Sequence, residues 1–237
     1  MITVTKNGTL GNNMWQYAVA RIIAEKNNLK LNCFSIPGFH NTNNVVTGKI
    51  INSPTRQISG HRFDMNSIGS NTKIIMNGFF QRYEYIKEYK NEVKEWFKLD
   101  INTPFEVNKN DLVVSIRRGW NGYPVYYCPP QEYFIENLNK IDCDRIILCT
   151  DTFEDPFFKF LEKLNVEVIK ANYSPLEQFS LIQKSNKIFL TSSTFCWWAA
   201  FLSNASEIYY PWINNFIPTE NGVNWYVDDE DRYIILS

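Results

Sequence analysis

The stretch VVSIRRGW (113–120) sets two arginines directly behind an apolar run, and it governs how the rest of the chain is interpreted. The run at 112–116 has the length and composition of a buried strand. Arginine is seldom buried without a partner, so Arg117 and Arg118 each require an internal carboxylate, which is the commoner outcome, or an anionic ligand. Because side chains alternate along a strand, we expect the two arginines to leave it in opposite directions.

Strands and helices alternate in the second half of the chain. The predicted strands are 112–116, 145–150, 166–169, 187–191 and 207–211, and the predicted helices between them are 130–140, 155–164, 175–185 and 194–203. This order is typical of a parallel sheet that helices cover on both faces. Ligands of such sheets bind beyond the carboxyl ends of the strands, where polar residues follow at 117–118, 150–152 and 191–194. Their convergence predicts a binding site for an anion.

The first half of the chain shows fewer regular elements. Its predicted elements are a strand at 2–5, a glycine-bounded turn at 8–13 followed by a helix, strands at 30–34 and 73–80, and a helix at 83–97. Asn, Thr, Ser, Gly and Pro dominate 35–71, so loops are expected there. The segment 101–111 is typical of a connection, and it divides the chain into halves at 1–105 and 106–237.

Composition excludes several classes of function. The 237 residues carry a formal net charge of -1, which argues against nucleic acid as the main partner, since phosphate backbones bind basic surfaces. No apolar run reaches the roughly 18–20 residues that span a bilayer, and the N-terminus lacks the apolar stretch of a signal peptide. Scattered cysteines, few histidines and the lack of a suitably placed Asp-x-Asp speak against a metal site. We therefore expect a cytoplasmic protein with no transmembrane segment and no bound metal.

Three segments carry residues that suit an anionic or sugar ligand. Ser192, Ser193 and Thr194 lie where a strand meets a helix, so they either cap that helix or bind an anion at its N-terminus. The glycines of GTLGNN (8–13) permit close approach of a ligand to the backbone, although their spacing is not that of a dinucleotide fingerprint. Asp151 can accept hydrogen bonds from a base or a ribose, or it can cap the helix that begins nearby.

Several segments, taken in this order, resemble the signatures of glycosyltransferase family 11, the α-1,2-fucosyltransferases. GTLGNNMWQYAVAR (8–21) is similar to the family's GGLGNQMFQYAFAR, and GFFQRYEYI (78–86) is similar to its GYWQSEKYF. SIRRGW (115–120) matches the arginine motif HxRRGD. TDT (150–152) resembles a strand end SDD, and LTSSTFCWWAAFL (190–202) resembles SNSSFSWWAAWL. The resemblance therefore covers most of the chain.

The resemblance implies an α/β protein with a GT-B-like fold, in which two Rossmann-like halves with parallel sheets hold the active site in the cleft between them. The half at 1–105 would serve the acceptor, and the half at 106–237 would bind the nucleotide-sugar. The implied reaction is an inverting transfer of L-fucose from GDP-fucose to a glycan hydroxyl. GDP-fucose is a co-substrate, and the resemblance implies neither a cofactor nor a metal.

The same resemblance implies roles for individual residues. Arg117 would hold the β-phosphate and stabilise the charge that develops as the glycosidic bond breaks. Arg118 would support it or pair with acidic neighbours. Asn12 would face the reacting sugar, and Asp151 would lie near guanine or ribose. The remaining donor-binding residues implied are Gly11, Ser192, Ser193, Thr194 and Phe195.

The chain departs from the arginine motif of the family at two positions. Ser115 replaces its histidine and Trp120 replaces its aspartate. The departures leave two alternatives open: transfer of another deoxyhexose, for example rhamnose, from a different nucleotide donor, or a non-catalytic nucleotide- or sugar-binding protein of the same fold. No histidine falls in a motif, so the general base is not placed. The candidates, which rest only on their location in the N-terminal half, are Asp64, Glu84 and Glu88.

Overall fold

The chain folds into two compact units. A computed structural model describes residues 1–43, 46–50, 52–99, 101, 103, 105–119, 128–220 and 222–236. The first unit comprises Met1–Asp100 with Asn215–Tyr226, and the second comprises Ile101–Asn214 with Val227–Ser237. A single boundary after residue 105 assigns 215–226 to the C-terminal half, whereas these residues pack with the first unit. Trp120 lies outside the described residues.

The first unit is built on a parallel sheet of four strands. Its strands are β1 (Ile2–Val4), β2 (Leu31–Asn32), β3 (Thr55–Gly60) and β4 (Lys73–Gly78), and its α-helices are α1 (Leu10–Lys26) and α2 (Lys90–Trp96). The strand order is β2-β1-β4-β3. Short 3₁₀ turns lie at His40–Asn43, Met65–Ser67, Tyr83–Tyr85 and Lys87–Tyr89.

Two expectations for the first unit need correction. The strand β3 lies inside 35–71, which the sequence predicts to be loop; it is an edge strand in which only Ile58 is buried, so it has no apolar pattern to reveal it. The predicted helix at 83–97 begins instead as the two 3₁₀ turns from Tyr83 to Tyr89, and α-helical geometry starts only at Lys90.

The second unit is built on a parallel sheet of six strands. Its strands are β5 (Leu112–Ile116), β6 (Arg145–Thr150), β7 (Glu167–Lys170), β8 (Lys187–Phe189), β9 (Glu207–Pro211) and β10 (Tyr233–Leu236). Its α-helices are α3 (Gln131–Leu138), α4 (Pro175–Lys184) and α5 (Thr194–Phe201). The strand order is β10-β9-β8-β5-β6-β7. The predicted α/β class with two parallel sheets is confirmed, and it is consistent with a GT-B-like two-domain fold.

The second unit also differs from the prediction in two places. The predicted helix at 155–164 is a 3₁₀ helix, Pro156–Lys163, which follows the cap residue Asp155. The strand β10 lies in the tail and was not predicted, because it follows the polar run that includes Asp228–Asp231 and pairs only with β9 at the sheet edge.

The two faces of β5 carry different contacts. Leu112, Val114 and Ile116 belong to a buried cluster with Phe134 of α3 and Phe160 of the 3₁₀ helix. Ser115, on the other face, contacts Cys196 of α5. Side-chain alternation therefore directs position 117 toward α5 and position 118 toward the 3₁₀ helix.

Each sheet contains a point at which the strand order reverses. In the second unit, the chain adds β6 and β7 on one side of β5 and then β8, β9 and β10 on the other, so the reversal lies between β5 and β8. In the first unit it lies between β1 and β4. Ligands of parallel α/β sheets bind at such points, beyond the carboxyl ends of the strands. No helix among the described residues is long and apolar enough to cross a membrane.

Candidate functional site

Arg117 lies directly beyond β5, with its guanidinium against α5. Its Cζ atom lies 4.2 Å from the centre of the Phe195 ring, an arrangement typical of cation–π stacking. Phe195 in turn packs edge-to-face on Phe179 of α4, with ring centres 5.3 Å apart. Within the described ranges no ion pair includes Arg117, and its buried Nε has no hydrogen-bond partner. Because stacking occupies only the face of the guanidinium, the donors along its edge are suited to an anion.

Arg118 leaves the strand on the opposite face, as side-chain alternation predicts. Its Nε donates to Oδ2 of Asp155 at 3.0 Å, and its guanidinium stacks on Phe157 at 3.9 Å. The backbone N–H of Phe157 and the Arg118 guanidinium together hold the pKa of Asp155 below its ordinary value. The protein thus supplies Arg118 with an internal carboxylate.

Asp151 holds the turn that carries the two arginines. Its Oδ1 accepts the backbone N–H of Arg118 at 3.0 Å, and its Oδ2 accepts that of Gly119 at 3.4 Å. The Thr150 hydroxyl donates to the same carboxylate at 3.3 Å. Contact of Asp151 with guanine or ribose stays a prediction, and the observed bonds give its side chain a local role in fixing this turn.

The segment between β8 and α5 is tied to the end of β5 through Thr191. The Thr191 hydroxyl donates to the carbonyl of Ser115 at 2.9 Å and accepts the backbone N–H of Arg117 at 3.4 Å. Ser193 is the N-cap residue of α5, but its side chain makes no cap bond to the helix. The hydroxyls at the start of α5 therefore lie at the same strand ends as Arg117, at the reversal point of the sheet.

Ser115, which replaces the histidine of the arginine motif, is fully buried. Its Oγ lies 2.7 Å from Sγ of Cys196 in α5, which is also fully buried. The serine that departs from the family pattern therefore forms a small polar pair with Cys196, on the face of β5 from which Arg117 leaves.

The predicted residues of the N-terminal half pack against each other in the first unit. Asn12 lies in the first turn of α1, and its Oδ1 accepts a hydrogen bond from Nε2 of Gln81 at 2.7 Å. Gly8 has a φ of +75°, and a Cβ on it would lie 2.2 Å from Nδ2 of Asn12, so only glycine permits this packing. Gly11 is buried in the same turn. Ligand contacts of Asn12 and Gly11 stay predictions.

A further group of amides joins β1 to β4 at the reversal point of the first sheet. The side chain of Asn7 donates to that of Asn77 at 3.0 Å. The fully buried Gln16 donates to the carbonyl of Gly78 at 2.9 Å and accepts the backbone N–H of Asn7 at 3.3 Å. Sequence reasoning did not single out Gln16 or Gln81, although Gln16 lies between two aromatic residues, where a buried amide requires a hydrogen-bond partner.

The first unit also contains a polar groove of about 660 Å³. All three carboxylates that were considered as bases line it, together with aromatic and cationic side chains. Its lining residues are Lys26, Arg62, Phe63, Asp64, Met65, Asn66, Glu84, Tyr85, Glu88 and Tyr89. A mixture of aromatic faces and polar groups suits a carbohydrate, because sugars present both hydroxyls and apolar C–H faces. Across the described ranges, no three His, Cys, Asp or Glu side chains are grouped so as to hold a metal ion.

A comparison with protein families matches residues 41–218 to glycosyl transferase family 11. The match takes in the segment 78–86, the arginine pair and the segment 190–202, whereas the signature at 8–21 precedes it. A search of curated proteins found no match. The family match, the two parallel sheets and Arg117 at the end of β5 together define the chain as a glycosyltransferase.

The chain belongs to glycosyltransferase family 11, and its reaction is of the fucosyltransferase type. As a glycosyltransferase it takes a sugar donor and an acceptor as substrates.

Proposed function

We propose that the protein transfers L-fucose from GDP-fucose to a hydroxyl of a glycan, with inversion at the anomeric carbon and without a metal ion. The supporting observation is Arg117, which carries a fixed positive charge at the sheet's reversal point and has no carboxylate partner among the described residues. A diphosphate leaving group requires such a charge when no metal neutralises it.

In this proposal Arg117 binds the β-phosphate through the edge of its guanidinium. Phe195 fixes the guanidinium plane, and the cationic donors then bond more strongly as the leaving oxygen gains charge. Ser193 and the backbone N–H groups at the start of α5 bind the diphosphate with the favourable end of the helix dipole. Arg118 and Asp151 act as positioning residues that hold the arginine turn.

The acceptor glycan is assigned to the groove of the first unit. Phe63 and Tyr89 offer aromatic surface there, and Asn66 with the neighbouring carboxylates offers hydrogen-bond partners for hydroxyls. Nearly equal numbers of acidic and basic lining groups favour a neutral oligosaccharide over a strongly charged one.

A second candidate is transfer of another deoxyhexose from a different nucleotide donor. The observation that favours it is the buried contact between Ser115 and Cys196, because a serine replaces the family's histidine beside Arg117. A smaller side chain at this position changes the wall next to the phosphate arginine, which bears on the choice of sugar.

The test is a transfer reaction in excess EDTA with GDP-fucose and with deoxyhexoses activated by UDP or dTDP, each offered to a panel of neutral oligosaccharides. The proposal expects fucosylated product and GDP in equal amounts from GDP-fucose alone, with the anomeric configuration opposite to that of the donor. Product from another nucleotide donor only would replace the leading proposal by the second. Loss of turnover in EDTA, restored by Mn²⁺ or Mg²⁺, would contradict metal independence.

A further inference from the structure

His61 follows β3 at the C-terminal edge of the first sheet, the edge at which parallel α/β sheets bind ligands. Gly60 and Gly78 end β3 and β4 opposite each other, and a Cβ on Gly78 would lie 2.4 Å from the Gly60 carbonyl oxygen. The His61 ring stacks on Phe79, with ring centres 6.0 Å apart and planes inclined by 26°. The next residue, Phe80, is fully buried at a φ of 54°, and such strained residues cluster at functional sites.

Apart from the stacking on Phe79, the imidazole of His61 has no bonding partner among the described residues. Its Nδ1 is buried and unpaired, whereas Nε2 is not buried and takes part in no hydrogen bond or ion pair of the described chain. Since no described residue bonds to either nitrogen, none of them fixes the tautomer. With the hydrogen on Nδ1, the lone pair of Nε2 is free to accept a proton.

The surroundings of His61 favour the neutral ring. Burial lowers the pKa of His61 below its ordinary value, and the positive charge of Arg82 lowers it further. Arg82 is paired with Glu84 at 2.8 Å, and Arg62, next to His61 in the chain, lies 3.6 Å from Glu220. A neutral imidazole at pH 7 is the form that a general base requires.

The carboxylates that line the groove are less suited to this task. Asp64 accepts the backbone N–H of Asn66 at 2.9 Å, and Glu84 binds Arg82 through both oxygens, at 2.8 and 3.2 Å. Glu88 is an exposed side chain on a 3₁₀ turn, whereas catalytic groups are usually held in place by packing.

We propose that His61 is the general base of the transfer. The inference rests on the proposed function, because only transfer to a hydroxyl requires such a base. The acceptor oxygen forms its bond to the anomeric carbon while the bond from that carbon to the β-phosphate oxygen breaks. The bonding pair leaves with GDP, and the hydroxyl proton passes to Nε2 of His61, from which it is lost to solvent.

The test compares His61→Gln and His61→Asn with His40→Gln. The chain has two histidines, and His40 is exposed on a different turn, so it provides a matched control. We expect the His61 variants to lose about 10²–10⁴-fold in kcat, the usual contribution of general base catalysis, with unchanged GDP affinity. Glu88→Gln keeps a hydrogen-bonding side chain in the groove and is expected to lose far less kcat than the His61 variants. Melting temperatures of all variants are measured alongside, and His61→Asn provides a second variant with a shorter side chain.

The pH profile separates a base from a merely structural residue. In His40→Gln, His61 is the only imidazole, so NMR gives its pKa directly; we expect a midpoint below the ordinary 6.5. Turnover should fall with acidity at the same midpoint, and His61→Gln should lack this acidic limb. A histidine that only donated a hydrogen bond would act equally well in its protonated form. Replacing it would then leave the acidic limb of the pH profile unchanged.

Failure of the general base and failure of the proposed function would give different results. Wild-type turnover in a folded His61→Gln, or an unchanged acidic limb, overturns the base and leaves the proposed function intact. A wild-type protein that neither binds GDP nor transfers fucose overturns the proposed function, and the base with it.

Discussion

At the scale of single residues, Arg117 and Arg118 show how one strand end serves two purposes. Arg118 is held by Asp155 and Phe157 on one face, and Arg117 stacks on Phe195 on the other. The first arrangement stabilises the turn. The second leaves a guanidinium edge without a carboxylate among the described residues, which is the arrangement that binding of an anion requires.

Substitution of the two arginines should therefore have different effects. We expect Arg117→Ala to lower kcat by about 10²–10³-fold, the usual loss for one donor aimed at a developing anion, with little change in Tm. Arg117→Lys should stay badly impaired, because it keeps the charge and loses the planar fork. Arg118→Ala should cost about 1 kcal/mol of stability and change turnover less. Measurements of kcat and Tm for all three variants check this. If Arg118→Ala loses turnover at unchanged Tm while Arg117→Ala stays active, then Arg118 binds the ligand and Arg117 stabilises the turn.

Substitution of Ser115 tests whether the core has room for the histidine of the family motif. Ser115→His restores the family residue but inserts an imidazole against Cys196, where both side chains are fully buried. Overpacking of this kind typically costs about 1–3 kcal/mol. Ser115→Ala is the matched control, because it removes the hydroxyl without adding volume. Chemical denaturation measures both, and a Ser115→His variant as stable as the wild type would show that the site has room for a histidine.

At the scale of single residues, the sequence predicted the directions of side chains better than the residues with which they pair. Alternation along the strand was enough to separate Arg117 from Arg118, because it depends on local geometry alone. The carboxylate that pairs with Arg118 is 37 residues away in the chain, and only the fold brings Asp155 to it. His61 was overlooked for the same reason: it lies in a segment without an apolar pattern, and pairing of β3 with β4 sets its position.

At the scale of elements, the ends of β3 and β4 depend on a close backbone approach. Gly78→Ala should destabilise the protein by about 1–3 kcal/mol, because its Cβ would lie 2.4 Å from the Gly60 oxygen and 2.6 Å from the Gly60 nitrogen. Gly69→Ala is the control, since a Cβ there meets no atom within 4 Å. Thermal denaturation of the two variants measures the difference, and equal stabilities would contradict the packing described for these strand ends.

The elements that the sequence predicted are those with a buried apolar pattern. The strands β5, β6 and β9 have the predicted bounds because most of their side chains enter the core. Polar edge strands such as β3 depend on backbone pairing with a neighbour, which no local pattern encodes.

At the scale of the whole molecule, the chain returns to the first unit at 215–226, after it has contributed 101–214 to the second. Arg82, which is buried, binds the returning segment 215–226 through one nitrogen of its guanidinium and Glu84 through the others. The bonded carbonyls are those of Thr219, Glu220 and Gly222, at 3.0, 3.3 and 2.7 Å. No sequence pattern predicted this return, because a segment of 12 residues without regular periodicity carries little information about its partner.

Arg82→Ala should loosen this attachment. We expect a loss of about 1–3 kcal/mol, since several acceptors lose their donor at once, and faster amide exchange within 215–226. Arg62→Ala, which removes an exposed contact to the same segment, should change stability by less than about 0.5 kcal/mol. Hydrogen exchange and Tm measure both variants. Unchanged protection of 215–226 in Arg82→Ala would show that other contacts hold the segment.

The most direct measurement for the proposed donor site is the stabilisation of the wild type and of Arg117→Ala by GDP, UDP and dTDP. At a ligand concentration one hundred times Kd, a bound nucleotide raises stability by roughly 2.7 kcal/mol. We predict that GDP alone stabilises the wild type in this way, that Arg118→Ala keeps most of the effect, and that Arg117→Ala loses most of it. Equal stabilisation of wild type and Arg117→Ala by GDP, or stabilisation by UDP or dTDP in place of GDP, would contradict the assignment of Arg117 to the diphosphate of a GDP-sugar.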